Sequence, residues 1–193
     1  LNVWDSEGVR YEEPKLKMMG IEAVKSSTPA PCRTMIKDAL KLMMRGTEDD
    51  VIEFIENARK EFKSLPPEEI AFPRTASNVQ KYKSSSDIYV KGTPIHIRGA
   101  LLFNYYLRKK KLTNKYSAIE NGEKIKFLYL KKPNTIQENV LSFIQDFPTE
   151  FGLSQYIDYE LQFEKSFVYP LKAILDAIGW EVEKKVTLES FFS

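Results

Sequence analysis

The residues best suited to binding chemistry lie in the run from Pro14 to Pro29, just before a predicted helix. Lys25, Ser26 and Ser27 place an ammonium group and two hydroxyl donors ahead of that helix, where free backbone amides also favour an anion. Gly20 permits the close approach of a neighbouring backbone or a ligand. The same residues are equally typical of a strand that leads into an ordinary helix start, so phosphate binding and a purely structural role both stay open on these residues alone.

Positive charge is concentrated in two parts of the chain. The full sequence carries a net charge of +2, but residues 74–115 hold ten Lys or Arg against the single acid Asp87, a net of +9. Residues 8–46 sum to +4, whereas residues 47–73 and 116–193 sum to −5 and −4. A segregated positive surface suits a protein that faces a polyanion. The sequence therefore points to a nucleic-acid backbone as partner.

Composition restricts the class of protein. With 42% apolar and 12% aromatic residues in a chain of 193, one substantial core or two small ones can form. Membrane-spanning apolar runs and a signal-peptide pattern are absent, and the single cysteine, Cys32, excludes an intrachain disulfide and a cysteine-based zinc cluster. These features predict a reducing, intracellular compartment and no membrane contact. Because the chain opens on Leu1, in what reads as a strand already under way, we expect an excerpt from a longer protein.

Catalytic groups are scarce. His96 is the only histidine, so histidine-based metal sites and Ser-His-Asp or Cys-His catalysis lack their components. The sequence contains no Walker loop, G-x-G-x-x-G motif, paired catalytic carboxylates or metal-ligand cluster. We therefore predict no catalytic residue and no metal site, and interpret the chain as a binding module.

Two parts of the basic stretch carry residue types that suit a nucleic-acid backbone. Lys81 and Tyr82, with the lysine and serines that follow, combine cations, a stackable ring and hydroxyls; a solvated polar loop is the structural alternative. If its stretch is extended, Arg98 offers a guanidinium fork for phosphate or base edges, and a salt bridge to an acid is its alternative. We interpret residues 108–111 as a solvated helix end that adds long-range attraction.

The end of the chain has its own pattern. Leu188, Phe191 and Phe192 are large apolar groups on a short charged terminus. An L-x-x-F-F pattern can form one helical turn that inserts into a pocket of a partner protein. Folding back onto the surface of the same chain is the alternative.

Hydrophobic periodicity and turn residues predict an α+β fold, with short strands first and then a mostly helical unit with a small antiparallel sheet. The predicted elements are two or three strands within residues 1–25, a helix that starts at Thr28-Pro29, a helix over 48–65 capped by Thr47, a helix over 96–108, strands over 123–131 and 139–145, and a long helix over 154–178 bent at Pro170.

Four blocks of the sequence resemble the C-terminal end of family B DNA polymerases, above all the replicative polymerases of T-even-like bacteriophages. They are Asn2-Val-Trp-Asp-Ser-Glu-Gly8 with Tyr11, Pro14-Lys-Leu-Lys-Met-Met-Gly-Ile-Glu22 with Lys25-Ser-Ser-Thr-Pro29, His96-Ile-Arg-Gly99, and the Phe-rich terminus. The resemblance implies that residues 1–27 are the last palm segment and residues 28–185 the thumb, which grips duplex primer-template DNA. Residues 186–193 would be a clamp-binding tail.

The resemblance also implies roles for single residues. Lys25 would reach towards the minor groove near the primer end, and Ser26 would also contact DNA. The contact with the duplex backbone would be lined by Lys81, Tyr82, Arg98 and Lys165, and a sliding clamp would bind Leu188, Phe191 and Phe192. The sequence departs from the family in the stretch 83–94 and at Tyr169, where relatives tend to carry a basic residue.

The implied parent is a DNA-directed DNA polymerase of an infected bacterial cytoplasm that uses Mg²⁺ and dNTPs. Its catalytic aspartates, which hold two metal ions, would lie upstream of Leu1. This chain would then need no cofactor of its own, and would bind DNA without polymerising it. The alternative reading is a stand-alone nucleic-acid-binding or clamp-docking adaptor.

Overall fold

The first described elements form a small hairpin. Strand β1 (Asn2–Trp4) pairs antiparallel with β2 (Arg10–Lys15), as predicted. In the turn, the Asp5 carboxylate accepts hydrogen bonds from the amides of Glu7 and Val9 at 2.9 and 2.8 Å. The structure, a computed structural model, describes residues 2–15 and 25–183.

Two helices follow in the positions that the sequence predicted. Helix α1 (Ala30–Met43) begins after Pro29, and α2 (Glu48–Ser64) begins after Thr47. Thr47 and Asp50 form a capping box, in which the Asp50 carboxylate accepts from the Thr47 amide at 2.7 Å; such a box satisfies two free amides of the first turn. The two helices pack together through their apolar faces, and the buried residues of α1 are Cys32, Met35, Ile36, Ala39 and Leu40.

A three-stranded antiparallel sheet forms the second layer. After the short helix α3 (Pro67–Ile70), which the sequence did not predict, strand β3 (Phe72–Thr75) pairs with β4 (Lys124–Tyr129), and β4 pairs with β5 (Val140–Phe143). Phe72 lies opposite Phe127, and Phe127 lies opposite Ser142. Because side chains alternate along a strand, Arg74 and Tyr129 lie on the same sheet face as these residues.

Helix α4 (Ile95–Lys109) packs closely against β5. The close contact occurs at Gly99, next to Ser142. The Ser142 hydroxyl donates to the carbonyl oxygen of His96 at 2.7 Å. The sheet therefore fixes the first turn of α4, which carries Arg98.

The last helical run differs from the prediction. Residues 154–156 form a separate 3₁₀ turn, and the run consists of α5 (Tyr159–Phe163), a π turn (Glu164–Val168) and α6 (Tyr169–Ala177). It begins at Tyr159 because the Asp158 carboxylate accepts from the amide of Leu161 at 3.1 Å, as an N-cap does. The irregular turn precedes Pro170, which supplies no amide to the helical hydrogen bonds.

The α+β fold is thus confirmed, with short strands, helices and a small antiparallel sheet. The division into segments 1–27, 28–185 and 186–193 stays a prediction. Within residues 2–15 and 25–183, no helix is both long enough and apolar enough to span a membrane.

Candidate nucleic-acid interface

A half-buried aromatic side chain, Tyr129 at the end of β4, lies at the centre of the candidate interface. The Nζ atom of Lys165 is 5.3 Å from the centroid of the Tyr129 ring, a separation typical of a cation–π contact. Burial raises the pKa of Tyr129, and the nearby guanidinium groups of Arg74 and Arg98 counteract that rise. Lys165 thus contacts the ring, and Arg74 on β3 and Arg98 on α4 are near enough for their charges to affect it. We call Arg74, Arg98, Tyr129 and Lys165 the cationic face.

Arg74 is a site residue that the sequence analysis missed. Its Cζ atom is 5.5 Å from the ring centroid of Phe72 and 5.4 Å from that of Phe127, and its Nη1 donates to the carbonyl oxygen of Ser27 at 2.7 Å. Burial lowers the pKa of Arg74, and Tyr129 opposes that change. Its alternation with Phe72 along an extended stretch and its place at the start of the +9 segment were the signals that could have identified it.

The segment around Lys25 and Ser26 lies at one edge of the cationic face. Both residues are exposed, whereas Thr28, whose amide donates to the Lys25 carbonyl at 3.1 Å, is buried. An open cavity of about 400 Å³ separates this segment from β3 and is lined by Ser26, Ser27, Pro73, Arg74, Thr75 and Lys124. The remainder of the opening run, residues 16–24, lies outside the described residues.

Arg98 occupies a helical position and is engaged with protein groups. Its Nη1 is 3.8 Å from the Glu138 Oε2, and its Cζ is 5.7 Å from the ring centroid of Tyr89. Its side chain is 24% exposed, and its buried Nε has no hydrogen-bond partner within the described part of the chain. The salt bridge that the sequence left open as an alternative is therefore present, and it leaves the guanidinium incompletely satisfied.

Lys81 and Tyr82 contact each other through their side chains, and the loop that follows them connects them to the cationic face. Lys81 is exposed, with its Nζ 5.4 Å from the ring centroid of the half-buried Tyr82. Immediately after them, Lys83 forms an isolated antiparallel bridge with Tyr89, the residue whose ring contacts Arg98. The loop is thus connected to α4 through Tyr89.

A buried chain of polar groups supports Lys165 and Tyr129 from inside. The thiol of Cys32 donates to the Ser166 hydroxyl at 3.3 Å, and that hydroxyl donates to the Gln162 carbonyl at 2.6 Å. The Gln162 side-chain oxygen accepts from the amide of Tyr129 at 3.2 Å. Because Ser166 follows Lys165 on the π turn, this buried polar chain (Cys32, Ser166, Gln162) orients both members of the cation–π pair. Gln162 and Ser166 gave no recognisable signal in the sequence.

The His96 side chain is half-buried beside the sheet. Its ring centroid is 6.5 Å from that of Phe127, and burial together with the charge of Arg74 lowers its pKa, which keeps the ring neutral at neutral pH. Within residues 2–15 and 25–183, no group of three or more His, Cys, Asp or Glu side chains is placed to hold a metal ion.

The remaining sequence features are the apolar residues at the end of the chain and Tyr169. Leu188, Phe191 and Phe192 lie outside the described residues, so their clamp-binding role stays a prediction. Tyr169, which the resemblance marked as a departure, is exposed, and its hydroxyl donates to the Glu164 carboxylate at 3.3 Å.

The sequence is similar along its whole length to part of two phage enzymes. The DNA-directed DNA polymerase of Enterobacteria phage T4 is 31% identical over 196 residues, and that of Escherichia phage RB69 is 34% identical over 197 residues. Each alignment covers 100% of this chain and 21% of the relative, so the chain spans about a fifth of the length of the curated relatives it matches. No protein-family model matches the chain. The chain is therefore similar throughout to a segment of the DNA-directed DNA polymerases of T-even-like phages, which confirms the resemblance that its sequence motifs predicted.

Proposed function

We propose that this chain holds duplex DNA, as the end of the palm and the thumb of a DNA-directed DNA polymerase that replicates phage DNA. The observation that carries the proposal is that Arg74, Arg98 and Lys165, from three different elements, each lie against an aromatic ring of the cationic face or beside it. The relatives of this chain are named as DNA-directed DNA polymerases. Duplex DNA is therefore the polyanion that we propose binds this cationic face.

The geometry suits phosphates rather than base edges. The two guanidinium groups can offer planar forks to phosphate oxygens, and Lys165 and Lys81 act as point charges. Each of these four cations lies against an aromatic ring, which limits the rotamer entropy that it loses on binding. Contacts of this kind position a duplex without reading its sequence. Lys25 and Ser26, exposed at the edge of the face, would extend the contact towards the minor groove at the primer end.

The remaining roles rest on the resemblance to the polymerases. The parent enzyme would use Mg²⁺ and dNTPs, and two metal ions would supply the chemistry of nucleotidyl transfer. Within the described residues no acidic cluster fits such ions, so we derive no catalytic step from this chain. Leu188, Phe191 and Phe192 would bind a sliding clamp, and the parent would act in the cytoplasm of an infected bacterium.

Fluorescence anisotropy with a labelled primer-template duplex tests the proposal on the 193-residue chain. We expect the affinity to fall steeply with salt, because bound cations release counterions from the DNA. Lys81→Ala, Arg98→Ala and Lys165→Ala should each weaken binding about three- to tenfold near 0.1 M salt and reduce the salt slope by about one.

Lys60→Ala is the matched control, since Lys60 is exposed on α2 within the acidic stretch 47–73. It should leave the affinity unchanged. Binding that does not depend on salt would contradict the proposal. So would three alanine variants that all bind as tightly as the unsubstituted chain.

A further inference from the structure

Glu138 is an acid within reach of the cationic face. It precedes β5, and its side chain is 19% exposed. Its Oε2 is 3.8 Å from the Nη1 of Arg98, and its Oε1 accepts a hydrogen bond from the Tyr89 hydroxyl at 2.6 Å. A carboxylate at this point is unexpected on a surface that binds an anion, because its charge opposes that of an approaching phosphate.

The backbone around Glu138 is held firmly by one buried amide. Asn134 is 5% exposed, and its Nδ2 donates to the carbonyl oxygens of Lys131 and Glu138 at 2.8 and 2.6 Å. Its Oδ1 accepts from the amide of Ile136 at 3.0 Å. The connection between β4 and β5 therefore presents Glu138 in a fixed place. Its position beside Arg98 is a property of the fold and not of a mobile surface side chain.

The ion pair with Glu138 leaves hydrogen-bond donors of the Arg98 guanidinium without an acceptor. A single contact at 3.8 Å is longer than a charge-assisted hydrogen bond, which measures about 2.7–2.9 Å. The Nε of Arg98 is also buried without a hydrogen-bond partner among the described residues. Glu138, by contrast, keeps a short bond to the Tyr89 hydroxyl, which also interacts with Arg98. The arginine can therefore leave this carboxylate without leaving it unpaired.

We propose that Glu138 is an internal competitor for the DNA phosphate at Arg98, a carboxylate that the guanidinium exchanges for a phosphate oxygen when duplex DNA binds. This inference rests on the proposed function and deepens it. A phosphate offers several oxygens to the exposed part of the guanidinium, so it can pair with Nη donors that the single 3.8 Å contact to Glu138 leaves unmet. The free energy gained at Arg98 on DNA binding is the difference between its ion pair with the phosphate and its ion pair with Glu138. Because this difference is small, the contact with DNA at this point is weak. A weak, exchangeable contact suits a surface along which a duplex must slide.

Salt-dependent duplex binding by Glu138→Gln tests the exchange. Glutamine keeps the shape of the side chain and removes the competing charge, so we expect the affinity to rise about fivefold near 0.1 M salt and the salt slope to steepen by up to about 0.9. In the background of Arg98→Gln the same substitution should have less than about a twofold effect. Tyr89→Phe should act in the opposite direction, with about twofold weaker binding, because the carboxylate that loses its hydroxyl donor pairs more strongly with Arg98.

The chain offers a matched control. Like Glu138 with Arg98 and Tyr89, Glu150 lies beside a basic residue and a tyrosine. Glu150 pairs with Lys115 and accepts a hydrogen bond from the Tyr116 hydroxyl at 2.7 Å, and neither partner belongs to the cationic face. Glu150→Gln removes the same charge, and we expect less than about a twofold change in DNA affinity because salt screens distant charges. Thermal melting checks that each variant is folded.

Three outcomes would overturn the inference: weaker duplex binding by a folded Glu138→Gln, a gain that persists without Arg98, or an equal gain in Glu150→Gln. If the unsubstituted 193-residue chain shows no salt-dependent duplex binding, the proposed function is overturned, and the exchange at Arg98 with it. The two failures are therefore distinguishable in one experiment. Opposite effects of Glu138→Gln and Tyr89→Phe cannot arise from a general loosening of the loop, which would weaken binding in both.

Discussion

At the scale of single residues, the interior beneath the cationic face is polar where a hydrophobic core would be expected. Cys32 is fully buried, and its thiol donates to Ser166. Burial raises the pKa of that thiol from its ordinary value of 9.0 to about 11, although the hydrogen bond with Ser166 opposes the change. A buried, protonated thiol is chemically inert. Cys32 therefore serves as the first link of the buried polar chain that orients Lys165 and Tyr129.

The raised pKa of Cys32 predicts a loss of stability in alkali. Between pH 9 and pH 11 the unfolded chain releases the thiol proton and the folded chain keeps it, so the free energy of unfolding falls as the pH rises. From pH 8 to pH 10 we expect a loss of about 1 kcal/mol from this group. Urea denaturation of the parent chain and of Cys32→Ala at both pH values measures it, and the variant should lose about 1 kcal/mol less. The tyrosines whose pKa is also raised act in both proteins and cancel. Equal losses in the two proteins would contradict the assignment.

The sequence indicated some residues of the candidate interface and not others, for a physical reason. Arg98 and Lys81 stand in a segment with a net charge of +9, so composition alone indicated them. Lys165 was found only through the resemblance to the polymerases, because its own segment is acidic overall. Its contact with Tyr129 joins two residues that are distant in sequence, and neither periodicity nor charge predicts such a pair.

At the scale of elements, the closest approach in the site is between α4 and β5. A Cβ atom placed on Gly99 would collide with the Ser142 hydroxyl and would lie 2.7 Å from the Ser142 backbone nitrogen. Real Cβ atoms do not approach a backbone nitrogen so closely, so only glycine permits this helix to lie against this strand. The first turn of α4 carries Arg98, and the residues before β5 carry Glu138. The glycine therefore sets how closely the two elements that carry these side chains pack together.

Gly99→Ala should destabilise the protein, although alanine favours helices by about 1 kcal/mol over glycine. Separation of α4 from β5 should cost about 1–3 kcal/mol net, as overpacking in a core does. Chemical denaturation measures the loss, and Lys109→Ala on the exposed side of the same helix should change stability by less than about 0.5 kcal/mol. A Gly99→Ala variant as stable as the parent chain would show that the contact can relax without cost.

The elements themselves were more predictable than their contacts. Thr47 followed by an acidic turn predicted the start of α2, and the capping box confirms it. The sequence did not predict the π turn at Glu164–Val168, because proline indicates an interruption and not its kind. π turns frequently lie at functional sites. Here the π turn directs Ser166 into the buried polar chain, whereas Lys165 stays exposed against Tyr129.

At the scale of the whole molecule, a net charge of +2 conceals an asymmetric distribution. The +9 segment supplies Arg74, Arg98 and Lys81 to the site and also ends α4 with the exposed run Lys109, Lys110 and Lys111. The segments 47–73 and 116–193 are net acidic. Such a concentration of positive charge in one segment creates an attraction that guides a polyanion towards that segment. Cations that touch DNA and cations that only attract it should therefore differ kinetically.

Replacement of Lys109, Lys110 and Lys111 by glutamine should slow association with duplex DNA and leave dissociation unchanged. Near 0.05 M salt we expect the association rate constant to fall about three- to tenfold, because the Debye length then exceeds about 10 Å and the run acts at a distance. Near 0.5 M salt the parent chain and the variant should associate at the same rate, since the attraction is screened. Lys165→Ala, at a contact residue, should instead speed dissociation at both salt concentrations. Stopped-flow anisotropy resolves the two rate constants. A triple variant that dissociates faster, as Lys165→Ala does, would mean that the end of α4 contacts the duplex directly and belongs to the interface.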